Sequence, residues 1–178
     1  MIMNWLRGNR YAAILLTLLR VYVGWEWMTA GWHKLTGDKA FDAAGFIQGA
    51  ISKPVVDMGT HENIYPNFVW FLSHIALPHV GQFNVLVPWG EFLVGLGLIV
   101  GGLTTAAAFF GLLMNFMFMF AGTVSMNPWL VLLGVILLIA GANAGRVGAD
   151  HYLLPVTRQA VNRLKHVQIK KKFKKIPM

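Results

Sequence analysis

Apolar runs about as long as a bilayer is thick dominate this sequence. They extend from Tyr11 to about Trp32, from about Val85 to Val100, from about Leu103 to Val124 and from Trp129 to about Ala144. Each is near the ~20 residues that a helix needs to cross ~30 Å of hydrocarbon. A chain inside lipid must satisfy its own backbone hydrogen bonds, which restricts such runs to helices. A large soluble core is the competing explanation. Of 178 residues, however, 56% are apolar and only 12% charged, about half the charged fraction of an ordinary soluble domain. The expected fold is an all-α membrane protein, a four-transmembrane-helix bundle occupying residues 1–152, followed by a basic tail over 153–178.

The charges orient this bundle. Between Arg158 and Lys175 there are eight lysines and arginines and no acid, which equals the net charge of +8. Arg7 and Arg10 precede the first run, and Arg146 follows the fourth. Four crossings put both ends on one side, and the Lys/Arg bias makes that side cytoplasmic. The expected location is the plasma membrane, multi-pass, with both termini cytoplasmic. Arg20 and Glu26 interrupt the first run and no small-residue cleavage site closes it, so it reads as a retained helix and not a signal peptide. The tail suits anionic lipid and topology. Nucleic acid is not an expected partner, because no aromatic-interleaved basic surface accompanies the tail.

The long connection 33–84 then lies outside. A structureless loop of that length is uncommon, so order is expected. Phe41 to Ile51 has the pattern of a short amphipathic helix ending before Pro54, and Phe68 to Leu77 is apolar but too short to span. The second segment reads as interfacial, re-entrant or a lid on the bundle.

Ionisable groups inside lipid cost ~2.5–3.5 kcal/mol each on insertion scales, so they face the bundle interior. Arg20, Gly24, Trp27, Gly31 and Lys34 follow one another at helical spacing and share a face. Glu26 lies on another face. Glu91 shares its face with Gly95 and Leu98. Gly24, Gly31 and Gly95 are candidates for close helix packing. Two readings of the charges stand side by side. Arg20, Glu26 and Glu91 line a polar cavity, where arginine holds an anionic or carbonyl-bearing ligand and a buried carboxylate exchanges protons. Alternatively, Arg20 pairs Glu91 or Glu26 as a structural network that sets helix register. Arg146 and Asp150, four apart, form either a pair on one helix face or an ordinary charged helix end.

Several chemistries lack their residues. There is no cysteine, which removes disulfide exchange, cysteine-held iron–sulfur clusters and c-type haem attachment. His33, His61, His74, His79, His151 and His166 offer neither a zinc-motif spacing nor an opposed haem pair, so no metal is expected. Trp25, Trp27, Trp32, Trp70, Trp89 and Trp129 lie mostly near run boundaries, as in an interfacial aromatic belt.

Three stretches together carry a family resemblance. They are Leu19-Arg20 with Gly24, Gly31 and Lys34-Leu35; Glu91 with Gly95, Leu98 and Gly101-Gly102-Leu103-Thr104; and Gly141-Ala142-Asn143-Ala144-Gly145-Arg146 with Asp150. Phe41 with Gly45-Phe46 fits the connection between the first two. In order and spacing this set resembles the DoxX/DoxD family of small four-helix membrane proteins. The resemblance implies a plasma-membrane protein tied to quinone-linked redox chemistry or oxidative-stress functions, since the family includes the small subunit of a thiosulfate:quinone oxidoreductase. It implies Arg20, Glu91, Arg146 and Asp150 as the polar site and a quinone as the ligand. Connection 33–84 is longer than in the smallest members, and the basic tail has no counterpart.

Three functions fit these residues. A quinone-linked redox component would take its electrons from a partner subunit, since the chain shows no cofactor motif of its own. A non-enzymatic membrane anchor would orient such a partner. A small transporter would require a homo-oligomer, because four helices without an inverted repeat do not form a pathway alone. The lipid bilayer is a partner in every case, and enzymatic activity of the isolated chain stays open.

Overall fold

Helix ends in this chain are set by a few residues that leave helical geometry. A computed structural model describes residues 1–153 and 155–157; residues 158–178, which hold the basic run, lie outside it. A short helix α1 (Ile2–Gly8) stops at Asn9, which is extended. The Asn9 side chain then caps α2 (Arg10–Thr36), accepting from the amides of Tyr11 at 2.7 Å and Ala12 at 3.3 Å. The connection after α2 is ordered, with α3 (Ala44–Ser52), α4 (Pro66–Phe71) and a π-helical turn (Leu72–Ala76) leading into α5 (Val80–Val100). Gly101, in the left-handed region, ends α5. After it come α6 (Thr104–Phe120), α7 (Asn127–Ala140) and a 3-10 turn (Gly141–Asn143).

Several boundaries differ from the apolar runs. α2 continues past Trp32 to Thr36, and α5 starts before Val85, at Val80. α6 stops at Phe120 and not Val124, because Gly122 and Ser125 both have positive φ and turn the chain. α7 stops at Ala140, where Gly141 has φ +58°. By length and composition, α5 is the one helix among the described residues long and apolar enough to cross a membrane. α6 and α7 are shorter apolar helices, and α2 carries Arg20 and Glu26 midway.

Helix α2 packs along α5 at unusually close range. A Cβ on Gly31 would overlap the Phe92 amide and stand 2.7 Å from the Pro88 carbonyl; on Gly24 it would stand 2.9 Å from the Gly95 carbonyl. Only glycine allows backbones this near. Val23 and Trp27 of α2, Leu98 of α5 and Leu130, Leu133 and Leu137 of α7 join one apolar core. A second core under the 33–84 connection joins Ile47 and Ala50 to Leu72 and Ala76, with Phe41, Phe68 and Phe83 against it. Asn84 of α5 ties the start of α3 by accepting from the Ala43 amide at 2.8 Å.

Polarity across the bundle is reversed relative to a soluble domain. Leu18, Leu93, Phe109, Phe110 and Leu132 are all more than half exposed, whereas Arg20, Glu91, Asn115 and Asp150 are buried. An exposed apolar belt of this extent marks a surface for lipid or for another protein.

Candidate polar site between the helices

The buried charges fall into two separate groups. At one end Arg20 lies inside the bundle, 2% exposed. Its Nη1 donates to the Leu98 carbonyl at 2.7 Å, and its Nη2 to the Val147 carbonyl at 2.7 Å. The Leu98 and Ile99 carbonyls belong to the last turn of α5, which has no intrahelical donors and carries partial negative charge. Arg20 is thus a side-chain cap for α5, supplied by α2. Gly101 makes room for it: a Cβ there would run into the guanidinium.

Asp150 performs the complementary task at the start of α6. Its Oδ1 accepts from the Leu103 amide at 2.6 Å and its Oδ2 from the Thr104 amide at 2.9 Å. Leu103, the residue ahead of α6, has no capping side chain and a positive φ, so the cap comes from elsewhere in the chain. The return is held by the Ala149 amide donating to Val100 and the Asp150 amide to Gly101. Gly145 leaves the space, since a Cβ there would meet the Asp150 carboxylate and stand 2.8 Å from Thr104 Oγ1.

The second group lies further along α2. Lys34 Nζ is 2.6 Å from Glu91 Oε2, with side-chain exposures of 29% and 3%. This is the one ion pair among the described residues. Lys34 also sits 5.8 Å from the centre of the Phe41 ring, so the first residues after α2 cover the pair. Arg20 and Lys34 are fourteen positions apart on one helix, about 21 Å along its axis. Arg20, Glu26 and Glu91 therefore do not line one cavity, and Arg20 pairs neither acid. Glu26 is half-buried, and its carboxylate has no hydrogen-bond or ionic partner among the described residues. Arg146 does not pair with Asp150 either. The chain between them is not helical, and exposed Arg146 donates to the Gly8 carbonyl at 3.3 Å.

Lys34 was absent from the residues singled out for chemistry, yet its stripe carried the signal. A cation on the face of α2 that presents Gly24 and Gly31 to α5 has to meet the acid of the facing helix. Asn143, which donates to the Leu6 and Asn9 carbonyls at 2.7 and 3.0 Å, had no such signal. Beside the 33–84 connection, a cleft of about 380 Å³ opens among Tyr65, Phe68, Phe71, Met117 and Phe120. Among the described residues no three His, Asp or Glu side chains group as a metal site.

An apolar exterior on a helical fold, with Arg20, Glu91 and Asp150 buried at helix contacts, defines a helical membrane protein. The chain belongs to the DoxX family, a membrane family whose model matches residues 15–126. That span takes in both members of the Lys34–Glu91 pair and Arg20, and ends before α7 and Asp150. Comparison with curated proteins and with solved structures gave no match.

Proposed function

We propose that the chain is a four-span plasma-membrane protein acting as a quinone-linked redox component, with Lys34 and Glu91 as its polar site. In this reading α2, α5, α6 and α7 all cross, with both ends cytoplasmic. The exposed apolar belt on these helices supports the crossings, and Arg7, Arg10 and Arg146 at one end support the orientation. The observation that carries the site is the partly open lysine held on a nearly enclosed carboxylate at 2.6 Å. Asp150 and the two terminal nitrogens of Arg20 are bonded to backbone inside the bundle, with Arg20 Nε enclosed and unpartnered among the described residues, whereas Lys34 has two further donors and, at 29% exposure, a route to the outside. Lys34 can donate to a carbonyl oxygen, and Glu91 can take up or release the accompanying proton. A quinone supplies a two-electron, two-proton couple, with electrons drawn from a partner subunit.

The test is binding of a short-chain quinone to the purified full-length protein in nanodiscs, compared with Lys34→Met and Glu91→Gln. Loss of at least about tenfold in affinity in both, with folding retained, is expected; one charge-assisted hydrogen bond accounts for that much. Absence of binding by the unaltered protein, or equal binding by all three, overturns the reading.

A second reading, a membrane anchor for a redox partner without a ligand of its own, draws on Arg20 and Asp150. Their charges serve only to join helix ends. Co-purification of a partner by the Lys34→Met protein, with no quinone bound by any form, would select it.

A further inference from the structure

The end of the bundle opposite Lys34 carries three cations that the redox reading does not use. Arg7, Arg10 and Arg146 are all exposed. Two of them grip the junction of α1 with the bundle. Arg7 Nε donates to the Ile139 carbonyl at 2.9 Å, and Arg146 Nη1 to the Gly8 carbonyl at 3.3 Å. Arg10 lies over the Tyr11 ring, 5.0 Å from its centre, and donates to its hydroxyl. Each guanidinium has five N–H donors, so every one keeps several free. The nearest acid in sequence to Arg146, Asp150, is buried and committed to the Leu103 and Thr104 amides.

Helix α1 supplies the apolar half. Ile2, Met3 and Trp5 are exposed by 74, 46 and 42%. Asn9 turns α1 away from the direction of α2, and Asn143 pins it through the Leu6 carbonyl. A short helix fixed at the bundle end, with apolar side chains outward and arginines at its base, has the make-up of an interfacial anchor. An excess of free guanidinium donors beside it calls for an anionic oxygen ligand at the depth of lipid headgroups.

We infer that α1 and Arg7, Arg10 and Arg146 form a binding site for the phosphate headgroup of an anionic phospholipid, with Ile2, Met3 and Trp5 against its acyl chains. The inference rests on the chain lying in a bilayer and is independent of the quinone assignment.

Lipid retained by the full-length protein tests it. The protein is taken from nanodiscs of phosphatidylcholine alone, or of equimolar phosphatidylcholine and phosphatidylglycerol, and bound lipid is counted by native mass spectrometry. Selective retention of phosphatidylglycerol is expected. Near-surface arginines each contribute enough for about a fivefold loss of affinity on neutralisation, and about a hundredfold for all three. Arg10→Gln is the cleanest single change, because Arg10 makes no contact that docks α1. A full-length protein with Lys170, Lys171, Lys172, Lys174 and Lys175 changed to glutamine should keep the bound lipid, which separates the site from the tail. Equal retention of both lipids, no loss in Arg10→Gln and the triple variant, or displacement by inorganic phosphate alone would each overturn the inference.

Discussion

Replacing Gly95 by alanine probes the closest backbone approach between two helices of the bundle. The new Cβ would overlap the Met28 amide, and would stand 2.5 Å from Met28 Cα and 2.6 Å from the Gly24 carbonyl. All of these are backbone atoms and cannot rotate away. Ordinary contact begins near 3.4 Å, so α2 and α5 must part by about 1 Å. That separation stretches Lys34–Glu91, now 2.6 Å, and Arg20–Leu98, now 2.7 Å. Overpacking of this kind costs up to about 3 kcal/mol. Alanine recovers about 1 kcal/mol through helix propensity. The net is a loss of about 2 kcal/mol, roughly thirtyfold in the folded-to-unfolded ratio. Gly90→Ala on the same helix is the control: its Cβ meets only the flexible end of Met114, Sδ at 3.4 Å and Cε at 3.5 Å, so the propensity gain stands unopposed. The assay is unfolding in detergent, followed by tryptophan fluorescence and by retention on size exclusion. If Gly95→Ala proves as stable as Gly90→Ala, the α2–α5 contact is not as close as described and the reasoning fails.

Two further outcomes follow from capping geometry. Asp150→Ala should cost about 2–4 kcal/mol in the same assay, since two amides at the start of α6 lose a charged acceptor; Asp150→Asn, which keeps one acceptor, should cost about half. On the 33–84 connection, the Asp57 carboxyl is held below its usual range by the Thr60 and Gly59 amides that donate to it. A lowered folded value means that the turn gains from ionised Asp57 above the ordinary carboxylate pKa of ~3.9, and loses that gain only as pH falls through the lower folded value. Amide shifts of Gly59 and Thr60 should therefore stay constant down to about pH 4 and move below it; movement centred above that pH would contradict the capping role.

The kind of protein was readable from local properties. Hydropathy is a property of each residue and sums along the chain, so the long apolar runs announced an all-helical membrane protein without any partner being known. Spacing along α2 likewise grouped Arg20, Gly24, Trp27, Gly31 and Lys34 on one face. Helix ends were less readable, because Gly122, Ser125 and Gly141 act through positive φ that the surrounding chain imposes.

Partners were beyond reach, since pairing depends on helix phase, crossing and where distant loops return. Glu91 and Lys34 meet across 57 positions, and Arg20 reaches Val147 across 127. A charge in an apolar run announces only that it needs company. Tertiary packing decided that Arg20 and Asp150 take backbone at the α5–α6 turn as theirs, that Arg146 turns toward α1, and that Lys34 and Glu91 hold the one ion pair among the described residues. Glycines at 24, 31 and 95 let two helices approach closely enough for that pair to form.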